Sequence, residues 1–326
     1  MLVLSRADVE QVLQLDHLID VVATAMVDLS CGRASMPPRG AAEVRDRHAM
    51  LAAMPAFLPS AGALTAKLVS LFPDNIDRPT HQAVIMCFDA QTGTPLAVMD
   101  GTYITAARTA AGSALATRLL ARPNSAVATV IGTGVQARSH AQALARLDSF
   151  EVVQVAGRDR TKAAALADEL VETGVWAKAV ETIEDAVRSA DVVCVATHAD
   201  HPVVRREWLR PGTHVNSVGY NSIGEGEIDS ATLRDAVVVV ESRAAVLAPP
   251  PSGAVEVRRA IETGVITAAH IHAELGELIT GHRQGRVDDT QLTFYKSVGV
   301  AVQDAAAAAL VLEEARTRGV GVHVDM

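Results

Sequence analysis

Residues Val127–Leu144, VATVIGTGVQARSHAQAL, admit few folds. Val127, Thr129 and Val130-Ile131 make a short β-branched apolar run that suits a buried parallel strand. Gly132-Thr133-Gly134-Val135-Gln136-Ala137 then fits G-x-G-x-x-G/A. The first glycine permits a sharp turn. The second lets backbone N–H groups approach a pyrophosphate, and the small Ala137 lets helix and strand pack closely. A helix starting near Val135 directs its positive end at that anion. Alone, the pattern also describes an ordinary tight turn. The flanking strand and helix favour a dinucleotide cradle.

Alternation of strand and helix continues downstream, as a parallel sheet requires. Strands are expected at Val152–Ala156, Ala177–Val180, Asp191–Ala196, His214–Val218 and Ala236–Val240, with helices at Thr161–Thr173 and Ile183–Arg188. With the opening strand these make a six-stranded, doubly wound Rossmann-type α/β domain. Upstream the pattern differs. Leu2–Leu4 reads as a strand, Ser5 as a helix N-cap, and Leu18–Leu29 as a helix. Residues 36–100 read as β-rich, with a hairpin joining Ala83–Phe88 to Pro95–Met99. A helix over Ile104–Ala121 stops at Pro123, and an alanine-rich helix over Lys296–Arg318 returns to the first domain. The predicted domains are therefore 1–122 with 300–326, and 123–299.

Aromatic residues are 3% of the 326, and the net charge is −9. Neither suits a nucleic-acid surface. No apolar run is long enough to cross a bilayer, and the N-terminus has acids where a signal peptide would be apolar. The dispersed Cys31, Cys87 and Cys194 read as free thiols, and the expected location is cytoplasmic. His198-Ala199-Asp200-His201 has no third partner at metal-ligand spacing, so no metal site is expected. His270 and His272 fall near a helix start, and His140 reads as a surface residue. Met50 and Met54 read as core fillers.

The second strand of such a domain ends beside the adenosine ribose. Here it ends Ala156-Gly157-Arg158-Asp159-Arg160, with glycine where NAD enzymes carry an acid. Arg158 favours the 2′-phosphate of NADP(H). The alternative places Asp159 on the ribose of NAD(H). Three cations interrupt small or apolar stretches of the first domain: Lys67 in LTAKLVSL, Arg108 in ITAARTAAG, and Arg39 after Pro37-Pro38. Each alone is more ordinary as an ion-pair member. Together they suit a carboxylate substrate.

The segment THQAVIMCFDAQTGTPLAVMDGTYITAARTAAGSALATRLL resembles the ornithine cyclodeaminase/mu-crystallin family, as do ADVVCVAT, PGTHVNSVG, AELGELITG and TFYKSVGVAVQDAAAA. The resemblance covers nearly the whole chain and is nearest the ketimine-reducing mu-crystallin branch. It implies that Arg39 and Arg108 hold the substrate carboxylate and that Lys67 lies at the reacting C–N centre. It makes Thr80, His81, Arg108 and Ser297 cofactor contacts, and sets Val298 on the substrate side. Gly132, Gly134, Val135 and Gln136 become the pyrophosphate turn. Arg158 and Asp159 become the 2′-phosphate region, Thr197 the loop after the fourth strand, and Val218 the nicotinamide-side strand end. It also implies a homodimer joined through the first domain.

Two departures bear on the reaction. Asn221 stands where cyclodeaminases and alanine dehydrogenases of the family carry an acid/base Asp, and an amide cannot shuttle a proton at neutral pH. Gly253-Ala254-Val255 stands near an acidic substrate contact, with Glu256 next to it. The expected activity is therefore NAD(P)H-dependent reduction of a carboxylate-bearing imine, reversibly an amino-acid dehydrogenase. The alternatives are an ornithine- or lysine-type cyclodeaminase and a non-catalytic nucleotide-binding protein.

Overall fold

The computed structural model describes residues 1–147, 149–219, 224–250 and 252–325. The chain divides into two compact units, Met1–Arg108 with Gly299–Met326, and Thr109–Val298. The first unit starts with β1 (Leu2–Leu4), α1 (Arg6–Val12) and α2 (Leu15–Ser30). Strands β2 (Gly40–Val44), β3 (Ala49–Leu58), β4 (Ala63–Leu71), β5 (His81–Phe88) and β6 (Pro95–Asp100) follow. Helix α3 (Gly101–Leu120) begins in this unit and ends in the second. The second unit continues with β7 (Val127–Ile131), α4 (Val135–Ala145), β8 (Val152–Ala156), α5 (Arg160–Glu172), β9 (Ala177–Ala179), α6 (Ile183–Ser189), β10 (Val192–Val195) and β11 (His214–Ser217). It is completed by α7 (Ser230–Asp235), β12 (Ala236–Val240), α8 (Arg243–Val246), α9 (Val255–Glu262), β13 (Ile271–Glu274), α10 (Leu275–Ile279) and β14 (Leu292–Lys296). Helix α11 (Ala301–Arg318) and β15 (Val322–His323) belong to the first unit.

Ser5 caps α1 through a capping box with Asp8. The seven-stranded sheet of the first unit runs β15-β1-β6-β5-β4-β3-β2, and the expected hairpin joins β5 to β6 antiparallel. Period-two alternation sends Ala52, Met54, Ala56, Ala63, Thr65, Lys67, Ala83, Ile85 and Cys87 to a buried face. Helix α11 packs on β3 and β4 there, beside α2, and its run of alanines lets it come close.

The opposite face of this sheet is also apolar. Leu68 pairs laterally with Ala53 and Val84, Ala66 with Pro55 and Met86, and Leu64 with Phe57 and Phe88. Leu51, Leu68 and Val84 are 46%, 37% and 44% exposed. An antiparallel sheet with one wet face normally alternates apolar with polar, and β3–β5 do not.

The second unit contains the expected doubly wound parallel sheet, with two corrections. It has eight strands, β13-β12-β14-β11-β10-β7-β8-β9, not six. The extra strands are β13 and β14; the expected final helix overlaps β14 only at Lys296. That helix starts at Ala301, because Gly299 at φ +75 breaks the backbone course after the strand. His272 accordingly lies on a strand, after a short 3-10 turn holding His270. Hydrophobic clusters cover the sheet, one of them built from α4 and α5 against β7, β8 and β10.

His140 is a third correction, being fully buried in α4. Its Nδ1 is 2.6 Å from the Gln136 carbonyl and its Nε2 is 3.0 Å from Ser113 Oγ. Both ring nitrogens are satisfied inside the unit, which makes burial tolerable. Met54 is in the core, whereas Met50 is half-buried.

Candidate active site

In the second unit, strand order reverses between β7 and β10, the switch point where ligands of such sheets bind. Gly132 stands there at φ +125, and a Cβ on it would lie 2.5 Å from the Ala196 carbonyl oxygen. Gly134 is the N-cap of α4, and space for a Cβ is open there. Ala137 is buried beneath the turn. This geometry fits a pyrophosphate: a compelled glycine, an uncrowded one and a free helix N-terminus. Val135 is exposed at that terminus. Gly157 lies beside Thr133, Arg158 is exposed, and Asp159 spends its carboxylate on the N-cap of α5, accepting from Lys162 N at 3.1 Å.

Two buried carboxylates hold the strand ends around this turn. Glu227 accepts from Thr197 N at 2.9 Å, Thr197 Oγ1 at 2.8 Å, Gly219 N at 2.7 Å and Ser217 Oγ at 2.8 Å. Burial pushes its carboxyl above the usual range, against the opposing pull of Lys296. Glu241 accepts from Ser297 Oγ at 2.9 Å and Val298 N at 2.8 Å. Thr197, Ser297 and Val298 are thus fixed by side chains that local sequence patterns do not reveal, while Val218 N donates to the Val195 carbonyl at 3.0 Å. Glu256 turns inward too, with Oε1 2.7 Å from Lys296 Nζ, so its carboxylate is committed to that pair. Among the described residues no group of three or more His, Cys, Asp and Glu could hold a metal ion. Asn221 lies outside the described residues.

In the first unit, Lys67 of β4 and Arg108 of α3 meet on one carboxylate, Asp304 in the first turn of α11. Lys67 Nζ is 2.6 Å from Asp304 Oδ2, and Arg108 Nε donates to Oδ1 at 3.0 Å. Lys67 also reaches Thr105 Oγ1 at 3.4 Å, and Arg108 Nη1 donates to Gln303 Oε1 at 3.1 Å. Arg39 Nη2 donates to the Gly299 carbonyl at 2.8 Å. A Cβ on Gly299 would lie 3.0 Å from both Arg108 Nη atoms. His81 is half-buried at the start of β5, and Thr80 before it is exposed.

The electrostatics follow from burial and from the excess of cations. Desolvation lowers Lys67 to about 8; Asp304 opposes the shift, and Arg108 and Arg39 add to it. Burial pushes Asp304 up, but Arg108 and Lys67 outweigh it and hold the carboxyl below its ordinary value. Burial, then Lys67 and Arg108, depress His81 to about 4, which keeps it neutral at physiological pH. An ammonium with a pKa near neutrality can both hold and release a proton.

Asp304 was missed from sequence, although its signal matched the one that marked Arg108. VQDAAAA sets one charge among small residues, as ITAARTAAG does.

Comparison with known proteins gives the family. The mouse ketimine reductase mu-crystallin is 39% identical over 86% of this chain and 86% of its own. An alanine dehydrogenase from Archaeoglobus fulgidus is 36% identical over 98% of this chain and 97% of its own. The Thermococcus litoralis Delta(1)-pyrroline-2-carboxylate reductase, solved in complex with NADH and L-proline, superposes with a TM-score of 0.94 at 39% identity. That match covers 99% of this chain and 100% of the other. With the family model matching residues 1–319 as well, this chain belongs to the ornithine cyclodeaminase/mu-crystallin family.

Proposed function

We propose that this protein is an NAD(P)H-dependent reductase of carboxylate-bearing imines. The observation that carries the reading is the buried Lys67–Asp304–Arg108 cluster with Arg39, in a chain whose other unit has the dinucleotide turn. Arg108 and Arg39 bind the substrate carboxylate, because guanidinium pairs with carboxylate in two directed hydrogen bonds. Lys67 donates a proton to the imine nitrogen. The neutral His81 adds no further cation beside Lys67. Val298 borders the substrate, and the family resemblance that makes Asn221 a substrate contact gives it no proton to move, since an amide does not titrate near neutral pH.

Gly132, Gly134, Val135 and Gln136 receive the pyrophosphate. Thr80, His81, Arg108, Thr197, Val218 and Ser297 contact the remainder of the nucleotide. Once bound, the reduced nicotinamide supplies a hydride to the imine carbon. Arg158 favours the 2′-phosphorylated nucleotide, supported by its exposure and by the commitment of Asp159 to capping α5.

The first unit also joins two copies of the chain through the open apolar face of its sheet. Leu51, Leu68 and Val84 would otherwise stay wet, which favours association of matching faces. A monomer in sedimentation at micromolar concentration would overturn the dimer.

The assay is oxidation of NADH and NADPH, run in parallel, with five- and six-membered cyclic imine carboxylates and with pyruvate plus ammonia. Turnover of a cyclic imine, faster with NADPH, is expected. Turnover of pyruvate and ammonia alone would make the chain an amino-acid dehydrogenase, as the Archaeoglobus fulgidus relative is named. Ammonia release from ornithine or lysine would restore cyclodeamination. Tight nucleotide binding with no turnover would leave a binding protein.

A further inference from the structure

We propose that Asp304 is a positioning residue for this reaction: its carboxylate aligns Lys67 with Arg108 and keeps Lys67 charged as the proton donor. The inference rests on imine reduction as assigned above, and it concerns a side chain to which the family resemblance gave no role.

Three observations carry it. Each carboxylate oxygen takes one cation, Oδ2 the Lys67 ammonium at 2.6 Å and Oδ1 the Arg108 Nε at 3.0 Å. One rigid group therefore fixes the spacing of the proton donor and the carboxylate anchor. Asp304 sits in the first turn of α11, where the helix end favours an anion, and its side chain is 1% exposed. It is also the carboxylate in a field of cations. Lys67 faces Asp304 from α11, Arg108 and Thr105 from α3, Arg39 from the segment before β2, and a neutral His81 from β5. Without the charge on Asp304, Lys67 would face Arg108 and Arg39 with no opposing anion among the described residues, and burial would favour its neutral form.

The proton balance follows. One N–H bond of the Lys67 ammonium breaks as the N–H bond of the protonated imine forms, leaving a neutral amine on Lys67. The imine carbon accepts the hydride as the nicotinamide is oxidised, and Lys67 regains its proton from solvent. Every turnover thus needs Lys67 recharged, and Asp304 makes that favourable.

The test compares wild type, Asp304→Asn and Asp304→Glu with a cyclic imine carboxylate. Profiles of kcat/KM against pH are measured alongside nucleotide binding by fluorescence. The wild-type rate should fall on the alkaline side near pH 8. In Asp304→Asn that limb should move down by at least about one unit, with about 100-fold lower kcat/KM at pH 8. Asp304→Glu retains the charge and should retain the limb, at a loss of about tenfold or less. Nucleotide affinity should stay within about threefold in both.

An unshifted limb in Asp304→Asn, or equal losses in both variants at every pH, would overturn the proposal. If Asp304→Asn does not fold, Asp304→Glu decides: a displaced limb overturns the role. If wild type turns over no imine, the reductase reading fails separately. Lysine-selective NMR titration of Lys67, assigned with Lys67→Arg, then decides. An equal Lys67 titration in wild type and the Asp304 variants would remove the role of Asp304.

Discussion

Lys67 in the first unit and Lys296 in the second are alike by the usual measures. Their side chains are 2% and 1% exposed, and each lies within 2.7 Å of a buried carboxylate oxygen. Their surroundings differ. Lys296 meets Glu256, Ser217 Oγ at 3.1 Å and the Gly219 carbonyl at 2.8 Å, three acceptors for the three donors of an ammonium. Glu227 stands one hydroxyl away. Lys67 has one short partner, Asp304, one long one, Thr105, and two guanidiniums nearby. The first arrangement saturates a cation and locks strand ends. The second leaves a cation poorly compensated, so its proton is loosely held. Burial with an ion pair does not separate the two lysines; the balance of charge around them does.

The strongest challenge to this contrast is Lys67→Met. Loss of the proton donor should lower kcat/KM by about 10³-fold, with nucleotide affinity unchanged. Asp304 keeps Arg108, so the variant should fold. Activity within about tenfold of wild type would mean that Lys67, like Lys296, is structural.

Lys296→Met should act on the fold. It leaves Glu256 buried without its cation beside Glu227, at a cost of about 3–5 kcal/mol. Denaturant titration should show the second unit opening early, and Lys296→Met/Glu256→Leu should recover much of the loss. A single variant as stable as wild type would show that the buried Lys296–Glu256 pair does not lock the strand ends.

A smaller effect is expected from Gly299→Ala. The residue is at φ +75, and a Cβ would press on both Arg108 Nη atoms at 3.0 Å. Strain of order 1–2 kcal/mol should raise the KM for the imino acid about tenfold and leave nucleotide binding alone. An unchanged KM would show that Arg108 can shift without cost.

What the sequence made legible was local and periodic. Gly132 to Ala137, the strand before it and the β-rich stretch over 36–100 carry their patterns within a few residues, and the structure has them. Strand β14 did not stand out because LTFYK runs into the apolar start of α11 with only Gly299 to part them. His140 looked polar and therefore wet; its partners Ser113 and Gln136 lie outside any local pattern. Glu227 and Glu241 have the same difficulty, since each gains its role from atoms brought to it by the fold. Lys67 and Arg108 stood out as lone charges among small or apolar neighbours, and the same test applied to VQDAAAA would have found Asp304.

The two-sided apolar character of the first sheet has a consequence for how that sheet assembles. A slip of β4 by one residue would trade Ala63 and Thr65 on the helix-covered face for Leu64, Ala66 and Leu68, an exchange that hydrophobicity scarcely opposes. The same slip would strand Lys67 on the opposite face, out of reach of Asp304. The charge proposed to donate the proton is thus also the mark by which the strand finds its place, and β4 is aligned when its one lysine meets its acid.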